Sequence, residues 1–286
     1  MSDITGFFLI NKEKGMTSHD VVHKIKKKFN FMKVGHTGIL DPLAEGLLII
    51  LINKATKLSF LFEKLDKTYQ GSMIFNKHFD TLDITGKLIY KKENILYLEQ
   101  IKKSFAFFNK KKYLQTPPMF SAIKIKGNKM YDLARKNIQI DIPPREVNIK
   151  NLKITSALVN DSIHFETKVS KGTYIRSLIR DIASKMNVYG SLKTLNRIKV
   201  GPYNLKDAHN IDSIDIKHLI DIKILFRKEQ KIILNDYLIK LVKNGIILDE
   251  RQIITQKPFI VLNQNKNWIA YYIPKEKNKY YPKYFF

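Results

Sequence analysis

GHTGILDPLAEGLLIILI, residues 35–52, is the stretch from which the rest of the chain is read. Gly35, Gly38 and Gly46 permit positive φ or close backbone approach, and Pro42 fixes φ directly after Asp41. Leu47 to Ile52 is a short uninterrupted apolar run, the pattern of a buried strand. The segment predicts a tight loop feeding that strand, with Asp41 held in a defined direction among glycines and apolar residues. Two readings of Asp41 stay open here: a reactive carboxylate, or a turn residue, since Asp before Pro commonly caps a turn.

Working outward, 286 residues with 44% apolar and 11% aromatic content make a globular chain with room for one large core or two domains. The opening MSDITGFFLINKEKG carries no basic leader, and no apolar run approaches the roughly 18 residues of a membrane span, so a soluble cytoplasmic protein is expected. Zero cysteines exclude disulfides and thiolate metal sites, and the seven histidines fall into no ligand spacing such as HExxH. No metal is expected.

Lys+Arg of 51 against Asp+Glu of 26 gives a net charge of +25, which suits a polyanionic partner and makes nucleic acid the first suspect. Lysine and isoleucine are abundant throughout, so the charge alone carries only part of the argument. Arginine is more informative. Only seven are present, and Arg176, Arg180 and Arg197 fall within 22 positions, as expected where the planar guanidinium fork is needed.

Phe7 to Ile10 reads as a strand, followed by NKEKGMTS, in which Thr17 or Ser18 could cap a helix with Val21, Val22, Ile25 and Phe29 facing inward. KTYQGSMIF, from residue 67, reads as a strand, and the polar loop after it carries Asp80 and Asp83 in turn-forming or base-contacting roles. Leu98, Ile101, Phe105 and Phe108 mark a helix over 98–108. The stretch 115–137 combines a proline pair with Lys124, Lys126, Lys129, Arg135 and Tyr131, either a basic flap over nucleic acid or an ordinary basic hairpin.

A period-two strand through Ile163, Phe165, Thr167 and Val169 leads into KGTYIRSLIRDIASKM. There Thr173 is the expected cap and Arg176 falls in the first helical turn. The helix dipole is positive at that end, so a cation there asks for an anionic partner, either Asp41 or RNA phosphate. From about residue 227 the texture changes to a short helix near Asp236 to Lys243 and short alternating strands at Ile260 to Leu262 and Trp268 to Tyr272. This predicts a small β-rich module over 227–286, following a domain over 1–226.

Taken together, NKEKGMTS, GHTGILDPLAEGLL, KTYQGS with FDTLDITG, QTPPMFSAIKIKG and KGTYIRSLIRD resemble the bacterial tRNA pseudouridine synthase B family over essentially the whole chain. The sequence departs from the family pattern at Glu13, where proline is usual, and at Ile39 and Phe79, where threonine is. The resemblance implies an α+β fold: a pseudouridine synthase domain with a mixed or antiparallel sheet and flanking helices, an RNA-gripping insertion at about 109–145, and a PUA-like tail.

It further implies pseudouridine formation at position 55 of the tRNA T-loop, without cofactor or metal, by a monomer that contacts the T-arm and the acceptor stem. Asp41 would be the catalytic aspartate and Arg176 its guanidinium partner. Tyr69 would stack on the base and handle a proton, Tyr174 and Leu195 would line the base pocket, and His36 would fill the space left by the flipped nucleotide. Each of these residues also has a plain packing reading, Leu195 most of all. The competing functional reading is a non-catalytic tRNA-binding or tRNA-folding protein.

Overall fold

A computed structural model describes residues 4–121, 124–125, 128–135, 138 and 140–286, with backbone alone for 124, 125, 128, 129, 132, 134 and 135. Its centre is a ten-stranded sheet. From one edge the main order is Ile220–Asp221, Gly6–Lys12, Glu45–Ile52, Gly190–Val200, Lys67–Phe75, Ser162–Val169, Arg145–Ile154 and Lys111–Gln115. Every neighbouring pair is antiparallel except one. Glu45–Ile52 meets Gly190–Val200 in parallel, and only through Glu45 with Asn196 and Gly46 with Arg197.

The uninterrupted apolar run at 47–52 now has its physical reason: the strand is covered on both faces. Leu48, Ile50 and Ile52 point into a cluster with Val21, Val22, Ile25, Leu178 and Ile179, contributed by the helices Ser18–Phe29 and Ile175–Ser184. Leu47, Ile49 and Leu51 point the other way, into a second cluster with Leu58, Phe62 and Phe226. Phe7 to Ile10 divides in the same manner.

Helix ends follow local chemistry. Thr17 caps Ser18–Phe29 in a reciprocal box with Asp20, and Asn30 closes the helix in the left-handed region at φ 53°. The helix Leu98–Phe108 lies where its spacing put it, with Ile101, Phe105 and Phe108 buried, although Leu98 stays exposed at the first turn. Thr173 does not cap Ile175–Ser184. Its hydroxyl donates to Ser170 O, and Tyr174 occupies the cap position without a side-chain bond.

The stretch expected to grip RNA, 109–145, begins inside the central sheet. Lys111–Gln115 pairs with Arg145–Ile154 from Gln115 against Arg145 to Lys111 against Ile149. The departure from the sheet therefore starts after Gln115. Beyond it Lys124–Ile125 pairs with Asn128–Lys129 and the helix Met130–Arg135 follows. Lys126 lies outside the described residues, as do the side chains of Lys124, Lys129 and Arg135.

After residue 227 a five-stranded sheet forms, ordered Gln230–Ile233, Phe259–Leu262, Trp268–Glu276, Lys279–Phe285 and Leu248–Asp249. One face carries the helix Asp236–Lys243 over Phe259, Val261, Tyr272 and Tyr280. The other sends Ile260, Leu262, Tyr271 and Tyr284 into the cluster that holds Phe7, Leu9 and Phe226. The two sheets thus share an apolar junction.

Candidate active site

His36, Asp41, Tyr69, Tyr174, Arg176 and Leu195, distant in sequence, all line one cavity of about 520 Å³ at the middle of the central sheet. The topology explains the convergence. Leu195 lies opposite Gly71 and Arg197 opposite Tyr69, so the strands Gly190–Val200 and Lys67–Phe75 form the floor. The loop before Glu45–Ile52 supplies Asp41 from one side, and the start of the helix Ile175–Ser184 supplies Tyr174, at its cap, and Arg176 from the other.

Asp41 sits on a braced loop. Ala44 N–H donates to Asp41 O at 3.0 Å and Gly15 N–H to Pro42 O at 2.7 Å. Ser18, at the start of its helix, accepts from Leu40 N–H at 2.8 Å and donates back to Leu40 O at 3.2 Å. The turn reading of Asp41 is therefore met by its backbone, which leaves the carboxylate free to face the cavity. That side chain is 37% exposed, because the cavity opens over it.

Its partner is Arg176, whose Nε lies 2.9 Å from Asp41 Oδ2. A planar guanidinium fork can grip one carboxylate with two donors. Instead the guanidinium, 6% exposed, spreads over several chain segments. Nη1 donates to Thr81 O and Nη2 to Phe120 O, each at 2.8 Å, and Nη1 lies 3.7 Å from Asp83 Oδ2. Asp83 is itself buried and accepts through Oδ1 from Thr81 Oγ1 and Thr85 N–H. It is an orienting group for Arg176, whereas Asp80 makes only a turn, accepting from Lys87 N–H.

Tyr69 and Leu195 are nearly enclosed, at 8% and 7% exposure. Tyr174 is fixed through its backbone by Gln115, whose Oε1 accepts from Tyr174 N–H at 2.9 Å and whose Nε2 donates to Tyr174 O at 3.2 Å. Burial pushes the Tyr174 phenol above its usual value. His36 keeps a buried Nδ1 without a hydrogen-bond partner, and burial, then the Arg197 charge, lowers its pKa. Neutral imidazole is the form at pH 7.

Three further residues escaped sequence reasoning. Lys12 is fully buried, with Nζ donating to Met16 O at 2.7 Å and Glu13 O at 3.0 Å, and burial brings its pKa to about 8. Lys67 lines the cavity two positions before Tyr69, and burial lowers it to about 8 as well. Gln115 reads in sequence only as the first residue of the basic stretch 115–137. A lysine in a lysine-rich chain carries no signal, unlike Arg197, which its scarce residue type singled out. Among the described residues no three His, Asp or Glu side chains are grouped to hold a metal, and no helix is long and apolar enough to cross a membrane.

Residues 26–175 match the profile of the TruB family pseudouridylate synthases, N-terminal domain. The chain is 60% identical over 283 residues to tRNA pseudouridine synthase B of Onion yellows phytoplasma (strain OY-M), covering 99% of this chain and 100% of that one. It is 48% identical to tRNA pseudouridine synthase B of Acholeplasma laidlawii (strain PG-8A), again over 99% and 100%. Among solved structures, one from a Cbf5-Nop10-Gar1 complex superposes with TM-score 0.69 at 21% identity, over 96% of this chain and 79% of that one. This last likeness speaks to the fold.

Proposed function

The chain belongs to the TruB family of pseudouridylate synthases, and on that premise we propose that it converts uridine 55 in the tRNA T-loop to pseudouridine, with Asp41 as the catalytic carboxylate. It is an isomerase that forms pseudouridine in tRNA. The observation that carries the assignment to Asp41 is the 2.9 Å contact between its Oδ2 and Arg176 Nε at the cavity wall. A carboxylate aimed into a cavity by a buried guanidinium is a nucleophile or base with a fixed approach.

The reaction breaks the bond from ribose C1′ to N1 and forms one from C1′ to C5; C5 gives up its hydrogen and N1 gains one. The target base must leave its stack to reach the cavity, at a cost of a few kcal/mol. Tyr69 offers a ring face, worth about 1–3 kcal/mol to a flipped base, and a phenol for the proton leaving C5. Tyr174 and Leu195 hold the uracil while it turns. His36, neutral and short of a partner at Nδ1, takes the gap in the T-loop, where RNA groups can meet that nitrogen.

The remaining assignments form part of the same proposal. Residues 1–226 are the catalytic domain and 227–286 a PUA-like RNA-binding module reaching toward the acceptor stem, and the protein acts in the cytoplasm as a monomer. The charge of +25 supports an RNA partner of that extent. The test is tritium release from tRNA carrying 5-tritiated uridine, followed by mapping of the modified position. Release at position 55 is expected. Tight binding without release supports a non-catalytic tRNA-binding protein instead.

A further inference from the structure

Arg197 is 2% exposed, and among the described residues no carboxylate lies within ion-pair distance of it. A buried cation without a counter-ion is costly, so its placement asks for a reason. Its donors go to backbone oxygens instead: Nε to Leu47 O at 2.7 Å, Nη1 to Ile39 O at 3.3 Å and Nη2 to Gly38 O at 3.3 Å. Those oxygens stand on both sides of Asp41 in the chain.

The strand pairing explains why such a brace is needed here. Glu45–Ile52 touches Gly190–Val200 only at Glu45 with Asn196 and Gly46 with Arg197, after which the strands part. Beyond that point no ladder fixes the loop to the floor, and the guanidinium takes over. Gly46 shows how close the approach is: its φ is +102°, and a Cβ there would stand 2.6 Å from Arg197 O. Across the other edge Arg197 is opposite Tyr69, so one residue stands between the carboxylate loop and the aromatic floor.

We propose that Arg197 is a positioning residue for the reaction, closing the 38–47 loop by bonds to its two ends so that Asp41 meets the base lying on Tyr69. The inference rests on Asp41 being the catalytic carboxylate. A planar fork with five N–H groups can reach all three oxygens at once, whereas lysine cannot. The positive charge is also felt around it, lowering the pKa values of His36, Lys12 and Lys67 in each case after burial.

The experiment compares single-turnover tritium release and tRNA binding in wild type, Arg197→Lys and Arg197→Gln, with thermal melts to confirm folding. Turnover should fall by about 10²-fold in both, the penalty for misplacing a reacting group by about 1 Å, while tRNA Kd stays within about threefold. The His36 pKa, read by NMR, should rise in Arg197→Gln and change less in Arg197→Lys, the difference separating lost charge from any loss of burial that both variants share. A folded variant with wild-type turnover overturns the proposal, and so does a loss confined to Kd. Wild type without tritium release defeats the functional reading itself, a different result. Should both variants fail to fold, the wild-type Arg197 Nε–H decides: a slowly exchanging resonance is expected, and rapid exchange with water overturns the brace.

Discussion

The cavity wall and the junction between the two sheets both rest on buried side chains, yet they are held by opposite means. Around the cavity, Arg176, Arg197, Gln115 and Lys12 each place a polar group on backbone oxygens, several of them at 2.7–2.8 Å. At the junction the contacts are rings: Phe226 lies 4.8 Å from Tyr271, 5.3 Å from Phe286 and 6.3 Å from Trp268. A hydrogen bond is directional and ties two particular atoms, whereas apolar burial is non-directional and constrains through close packing. Named atoms are tied around the cavity, while the junction holds two apolar surfaces together.

That contrast predicts which changes silence the enzyme and which loosen it. The largest effect belongs to Asp41→Asn, which keeps the shape of the side chain and removes the proposed catalytic carboxylate. No product above background is expected, with binding of tRNA and the thermal midpoint close to wild type. Turnover by that variant would break the comparison at its first point. Arg176→Lys comes next, because an ammonium cannot reach Asp41, Thr81 O and Phe120 O together, and a fall of about 10²-fold in rate is expected. Normal single-turnover kinetics would show that the spread guanidinium is not needed.

On the other side stands Phe226→Ala. Removing the ring from the junction should cost about 3–5 kcal/mol of stability by denaturant melt, with the rate per folded molecule unchanged. A selective loss of rate in a fully folded sample would mean that the junction also positions the cavity. The smallest effect is in His36. Its pKa is lowered below the ordinary 6.5, so the unfolded chain takes the proton first as pH falls. Stability from this group is full above pH 6.5 and declines as pH drops toward the folded value. An NMR titration giving 6.5 or higher would remove the distinction between this buried ring and a surface one.

Much of the architecture was legible because periodicity and charge report burial directly. The helices Leu98–Phe108 and Asp236–Lys243 and the strand Ser162–Val169 fall where apolar spacing put them. The six candidate residues were legible through motif resemblance, and the fold brings all of them to one cavity. Thr173 misled because a hydroxyl near a helix start can turn to another carbonyl, here Ser170 O. That Lys111–Gln115 pairs with Arg145–Ile154 could not be read from KKYLQ, because nothing local in it distinguishes a sheet strand from a loop.

The sequence by itself determined that this is a basic α+β protein of the pseudouridine synthase kind, with Asp41 on a glycine-flanked loop before a doubly buried strand. Those features depend on residue type and near neighbours, which the chain order preserves. Tertiary structure alone decided that Arg176 divides its donors among Asp41, Thr81 and Phe120, that Asp83 orients it, and that Arg197 ties Gly38, Ile39 and Leu47. Each of these bonds joins atoms far apart in sequence, and a hydrogen bond depends on distance and angle, which the order of residues does not encode locally.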